Sequence, residues 1–409
     1  MSSLLRWSRR LVPLLPSPTR QFPLSGFQTL SSAEKVEEEN FEWYSPDDFY
    51  PVRIGDVFHS KYQVVGKLGY GPCSTVWLCR DLQGHQYVAM KVCERDSTQA
   101  RRELDVYNQL NLIVTENIGS TLVRTALDHF DISTPKGDHL CLIHKPLSMS
   151  LSELRARAPS RKFPEDLLKP ILLHIFHALD FLHSEARVIH TDIQEKNILL
   201  AVEDETILST FEKNELENPS PRKIDGERII YQSRKLPVPK IHGRPVLCDF
   251  GEARTGSTTY HEDIQPYLYR APEVLLRMKW DDKVDIWNVG VLIWDLFENM
   301  HLFDARDGKK QNSNLHHLAE MVALLGPPPN DFLKRSEYAP EFFDDQGGET
   351  GTWKGAIDIP PISLEMLERN LSGSNKELFL QFIRKMLQWT PEARQSAKEL
   401  LDDPWLRSD

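Results

Sequence analysis

The stretch VIHTDIQEKNILL, residues 188–200, constrains this chain more than any other. It sets one acid, Asp192, on a short polar loop between two apolar runs, with an amide, Asn197, five residues later. Such a pair suits a hydroxyl nucleophile held beside a metal-bound phosphate, because the carboxylate accepts a proton and the amide oxygen serves as a metal ligand. An Asp and an Asn in a loop also cap turns and helices. The order of motifs on either side decides between the two readings.

Upstream, from Lys61, the pattern is β. YQVVGKLGYGPCSTVWLCRD reads as two strands joined by a glycine-bearing turn, and QYVAMKVC reads as a third strand. Gly69 and Gly71 fill the first two positions of G-x-G-x-x-G, where a missing Cβ lets the backbone approach phosphate oxygens, although two glycines in a hairpin can be a turn and nothing more. Lys91 closes the alternating strand VAMK, and Glu103 lies beside the apolar face of the helix QARRELDVYNQL. A Lys and a Glu in apolar surroundings are costly unless they pair and the Lys also meets an anion, which points to nucleotide phosphate. HLCLIHKPLSMSLSEL then reads as a strand, a proline-broken connector and a helix. This is a hinge between a small β-rich lobe and a larger helical one, and the backbone around His144 to Leu147 suits an adenine edge.

Downstream, residues 201–245 have few apolar runs, are acidic at first and basic later, and read as a surface insertion that is a solvated loop rather than a docking element. VLCDFGEAR places Asp249 at the end of an apolar strand with a flexible Gly251 behind it, as a second metal ligand requires. YRAPEVLL with Glu273, KVDIWNVGVLIWDLF with Asp285 and Trp287, and TPEARQSAKELL with Arg394 follow in order. The segment 327–350 reads as a further insertion. Its Glu341, Asp344 and Asp345 form a solvated acidic loop or, alternatively, a contact for arginines.

With 409 residues and a net charge of −11, the chain can fold as two lobes, and its charge argues against general nucleic-acid binding while permitting a groove for a basic partner. Five cysteines without C-x-x-C spacing suggest neither a disulfide framework nor a zinc knuckle. His174 and His177, three apart, lack a second pair and read as surface or packing residues. No apolar run approaches the ~20 residues of a membrane helix. Residues 1–33 contain no acid and carry Arg6, Arg9, Arg10 and Arg20, the composition of a mitochondrial presequence or of a disordered tail. The acidic, aromatic segment 34–57 is expected to pack along the outside of the domain that follows.

Taken in sequence, Gly69 and Gly71, Lys91, Glu103, His190, Asp192 and Asn197, Asp249, Phe250 and Gly251, and Ala271, Pro272 and Glu273 resemble the eukaryotic protein kinase signature set over residues 58–406. The wording of YPVRIGDVFHSKYQVVGKLGYGPCSTVWL, VAMKV, HTDI and EDIQ is similar to the kinases of serine/arginine-rich splicing factors, particularly their compact fungal-type relatives. The resemblance implies an α+β bilobal kinase fold, with an N-lobe at 58–143, a hinge at 144–148 and a C-lobe at 149–406. It implies Mg²⁺-ATP as cofactor, transfer to serines of Arg-Ser-rich proteins, a monomer with no direct nucleic-acid or membrane partner, and a place in cytoplasm and nucleus, with mitochondria as the alternative.

The same resemblance assigns roles. Asp192 would orient and deprotonate the hydroxyl, Asn197 and Asp249 would hold metal, and Lys91, fixed by Glu103, would clamp the phosphates. Leu68, Gly69, Gly71, Ser74, Val76, Ala89, Lys145 and Leu147 would line the nucleotide site, and Arg394 would pair with Glu273. Ser74 at the third glycine position matches the splicing-factor kinases, whereas Pro72 removes a turn N–H. Gln194 stands where serine/threonine kinases carry a lysine, with Lys196 placed to supply the missing charge. Thr191 replaces the arginine that grips an activation-segment phosphate, so activity without phosphorylation at Ser257, Thr258, Thr259 or Tyr260 is expected. A weakly active pseudokinase that scaffolds ATP or a basic partner is the alternative.

Overall fold

The computed structural model describes residues 15–256, 259–344 and 347–408. The chain divides into two compact units, one made of the segment up to Ser97 with Leu127–Pro146 and Asp204–Val238, the other of Thr98–Ala126, Leu147–Glu203 and the segment from Pro239.

Alternating apolar residues build the first unit. Strands β1 (Val57–Phe58), β2 (Tyr62–Gly71), β3 (Ser74–Asp81), β4 (Gln86–Arg95), β5 (Asp128–Thr134) and β6 (Gly137–His144) form one antiparallel sheet in the order β1-β2-β3-β4-β6-β5. The period-2 rule sends Trp77 and Cys79, and Val88, Met90 and Val92, to one face, where they join Val52 and Tyr231 in a core. Each large side chain so buried contributes about 1.5–3 kcal/mol. Val76, Leu78, Ala89 and Lys91 therefore share the other face.

Tyr231 belongs to the segment expected to be a solvated insertion, and that expectation is corrected. Thr206–Glu217 is a helix and Arg222–Asp225 with Arg228–Tyr231 is a hairpin, both packed into the first unit. Phe211 is fully buried against Gly66, where a Cβ would stand 2.8 Å from the ring. Tyr231 meets Trp77 edge to face at 5.7 Å. Part of the segment's charge is turned inward as pairs: Glu215, 1% exposed in its side chain, accepts from both N–H and Oγ of Ser220 and from Arg234 Nε at 3.0 Å.

The residues before the sheet are also structural. Arg20 exchanges two 2.8 Å hydrogen bonds with Gln63, Ser17 N–H donates to Leu82 O, and Leu30 N–H donates to Arg222 O. Arg20, one of the arginines behind the presequence reading, sets its guanidinium 3.4 Å from Glu212; Arg6, Arg9 and Arg10 lie outside the described residues. The segment 34–57 does more than lie outside the domain, since Val52 is in the core and Glu38 and Glu39 are buried.

In the second unit the helix Lys283–Glu298 is apolar almost all round and buried from Val284 onward, with Trp287 and Trp294 inaccessible. The helix Glu165–Phe181 ends in a π turn, Leu182–Ala186, closed by Arg187 in the left-handed region. The helix Thr98–Leu112 clusters here rather than with the sheet, unlike the expected N-lobe of 58–143. Its ties explain this: Tyr107 meets Phe250 at 5.7 Å, and Arg102 donates to Gly251 O. No helix of the described residues is long and apolar enough to cross a membrane. None of the five cysteines is in a disulfide.

Candidate active site

Asp285, at the start of the long buried helix, organises the loop after Ile189. Its two carboxylate oxygens accept the backbone N–H groups of His190 and Thr191 at 2.8 Å, and His183 Nε2 at 2.9 Å. Burial lowers the pKa of His183, but the hydrogen bond and charge of Asp285 outweigh it and raise the net value. Such anchoring lets Thr191 hold a left-handed φ of 66°, which is rare for a β-branched residue. The fully buried His190 places Nε2 3.0 Å from Cys248 O while Nδ1 accepts Asp192 N–H, so Nε2 carries the proton.

Asp192 is held from both sides. Asn197 Nδ2 donates to its Oδ2 at 2.7 Å and to its backbone oxygen at 2.9 Å, and Gln194 Nε2 donates to its Oδ1. Burial pushes the Asp192 carboxyl above the ordinary range, against the opposing effects of His190, Lys196 and the Asn197 bond, and Asp249 adds to the rise. Lys196 is exposed on the same loop. Glu195, next to it, is locked by a bidentate pair with Arg155 at 2.7 Å.

Asn197 O accepts Cys248 N–H at 2.8 Å, which joins the Asn197 and Asp249 segments. Asp249 takes φ 68°, also left-handed, and is exposed, while Phe250 behind it is fully buried and packs on His190 at 5.0 Å. An exposed carboxylate and an amide oxygen whose own N–H₂ is already committed to Asp192 are hard donors, the set that Mg²⁺ takes when substrate phosphates complete its shell. Among the described residues no group of three or more His, Cys, Asp or Glu forms a metal cluster.

In the first unit, register aligns the nucleotide candidates. Gly71 pairs with Ser74, Gly69 with Val76, Val76 with Lys91, and Leu78 with Ala89. Val76, Ala89 and Lys91 thus share the face opposite the core. Leu68 sits at a bulge between Lys67 and Gly69, and Lys145 is exposed just beyond β6. The remaining candidates, Glu103 and Leu147, are in the second unit, where Glu103 accepts from Tyr107 Oη at 2.8 Å.

Two features escaped the sequence reading. The first is how Thr191 serves in place of an arginine: its Oγ1 donates to Glu252 O at 2.8 Å. The second is a tie on the activation segment, where Tyr260 and Trp280 exchange backbone hydrogen bonds of 3.1 and 3.0 Å and stack at 4.9 Å, and Trp280 Nε1 donates to Glu262 O. Neither carries a local motif, because both use backbone groups. Ser257 and Thr258 lie outside the described residues. Arg394 and Glu273 form a buried bidentate pair at 2.6 Å. Of the acids in the 327–350 segment, Glu341 is exposed, Asp344 pairs with Lys354 at 2.8 Å, and Asp345 is outside the described residues.

A sheet-bearing unit, a helical unit and an aspartate held by its own loop define a phosphotransferase of the protein kinase class, and sequence comparison agrees. The chain belongs to the protein kinase family, whose domain model matches residues 62–406. It is 48% identical over 394 residues to a serine/threonine protein kinase of Aspergillus fumigatus, covering 96% of each chain. It is 29% identical over 405 residues to the serine/threonine-protein kinase SRPK of Physarum polycephalum, covering 90% of this chain and 91% of that one. A crystal structure of a kinase domain, 24% identical, superposes with a TM-score of 0.65 and covers 88% of this chain and 99% of that one. The chain is a serine/threonine protein kinase.

Proposed function

We propose that the protein transfers the γ-phosphoryl group of ATP to serine hydroxyls in Arg-Ser-rich proteins, acting as a monomer in cytoplasm and nucleus. The observation that carries this reading is the fixing of Asp192 by Gln194 and Asn197 on a loop anchored to Asp285. Asp192 accepts the serine proton as the oxygen–γ-phosphorus bond forms and the bond to the β-phosphate oxygen breaks, and ADP leaves with that oxygen. Asn197 and Asp249 are the residues that would hold Mg²⁺. Bound there, the ion supplies neutralisation of phosphate charge. Lys91 holds the α- and β-phosphates, with Glu103 as the partner assigned to it by family resemblance, while Gly69 and Gly71 bring backbone close to the phosphates. Lys196 supplies positive charge in place of the residue at 194. The complete Lys, Glu, Asp, Asn and Asp set favours an active enzyme over a pseudokinase scaffold.

The test is phosphoryl transfer from Mg²⁺-ATP by the full chain, since residues 17–30 pack into the first unit. An Arg-Ser repeat peptide and a basic peptide without Ser-Arg pairs are offered, beside Asp192→Ala. Preference for the repeat, with a loss of about a thousandfold in the variant, is expected. Equal use of both peptides would remove the Arg-Ser specificity, and ATP binding without transfer would favour the scaffold.

A further inference from the structure

Within the first unit, the glycine turn of β2 and β3 is not a free flap. Its tip is Pro72–Cys73, flanked by the Gly71–Ser74 pair, and Pro72 offers no N–H of its own. The segment before the sheet reaches this tip. Trp43 Nε1 donates to Pro72 O at 3.4 Å, Trp43 stacks on Phe41 at 5.3 Å and 19°, and Phe41 meets Tyr70 edge-on at 6.0 Å. Trp43 is 62% exposed and Tyr70 43% exposed, so neither contact serves to fill the core.

One turn of chain earlier, the same segment grips the base of the turn. Lys67 is 1% exposed, and its Nζ lies 2.8 Å from Glu37, 2.5 Å from Glu38 and 3.1 Å from Tyr231 O. Its backbone oxygen accepts Arg234 N–H at 2.9 Å. The β2–β3 register shifts between Lys67 and Gly69, so the grip coincides with the bulge that re-aims the strand into the turn. A buried lysine between two carboxylates is a costly way to stabilise a sheet, since an apolar residue of that size would serve as well. It fixes one geometry.

We propose that Phe41 and Trp43, based on the Lys67–Glu37–Glu38 cluster, are positioning residues that hold the glycine turn in the conformation that receives the phosphates of ATP. The inference rests on the nucleotide role proposed above for that turn. A turn ordered in advance loses less freedom on binding, and the benefit falls on the phosphates rather than on the nucleoside. Tyr70 and Pro72, otherwise odd choices for a phosphate-binding flap, become the surfaces on which the strap rests.

The experiment measures dissociation constants of the full chain for ATP and for adenosine by calorimetry, in wild type, Trp43→Ala and Trp43→Phe. For Trp43→Ala the expected result is about a fivefold weaker ATP affinity with adenosine affinity unchanged within about twofold. Trp43→Phe keeps the stack on Phe41 and is expected to recover part of the loss. Because Trp43 is exposed, its thermal midpoint should stay within about 2 °C of wild type. Unchanged ATP affinity in Trp43→Ala, or equal losses for ATP and adenosine, would overturn the positioning role while leaving the nucleotide reading intact. A wild-type chain that binds neither ligand would overturn that reading and the inference with it.

Discussion

The loop 188–200 and the segment 204–238 are neighbours in the chain, both carry charge, and they use it in opposite ways. In the loop, Asp285 accepts two backbone N–H groups so that Asp192 can stand partly exposed with an elevated pKa. In the segment, Glu215 and Glu212 turn inward to arginines, a serine and Tyr87. The first arrangement pre-organises a reactive group and the second replaces apolar packing. Charge in a sequence therefore does not say whether it faces a substrate or a neighbour.

The sharpest way to break this comparison is Glu215→Ala. It leaves Arg222, 5% exposed, without its carboxylate, and should destabilise the protein by about 3 kcal/mol in a denaturant titration while leaving kcat at low temperature unchanged. An unshifted midpoint would return the segment to the status of a decorative loop. Within the loop, Lys196→Ala should lower kcat about tenfold or more, equivalent to ~1.4 kcal/mol, with Gln194→Ala milder. The reverse pattern would move the charge-supplying role away from Lys196.

The pH profile sharpens the same test. Transfer needs Asp192 ionised, so activity should fall on acidification through a pKa raised above the ordinary aspartate value by burial. The positive charge of Lys196 opposes that rise, and Lys196→Ala should move the acid limb further upward. An unmoved limb would place Lys196 too far from Asp192 to matter. The smallest expected effect is that of phosphatase treatment. Thr191 and the Tyr260–Trp280 tie hold their segment with backbone hydrogen bonds, so activity should change by less than about twofold. A large loss would mean that a phosphate supplies what these bonds do not.

The sequence by itself determined the kinase class, because catalysis of this kind needs particular functional groups in a fixed chain order, and Lys91, Asp192, Asn197 and Asp249 are recognisable one by one. It also determined the sheet, since strands with one buried face alternate with period 2. Only the tertiary structure decided that residues 15–33 and 204–238 belong to the first unit. Much of their cohesion comes from ion pairs and hydrogen bonds between segments far apart in the chain, such as Ser233 N–H to Glu37, 196 residues away, and a polar composition is the same whether its partners are water or protein. The ties of Gln194 to Asp192 and of Trp43 to Pro72 were unreadable for a related reason: a side-chain amide or an indole N–H has no preferred partner until folding brings an acceptor within reach.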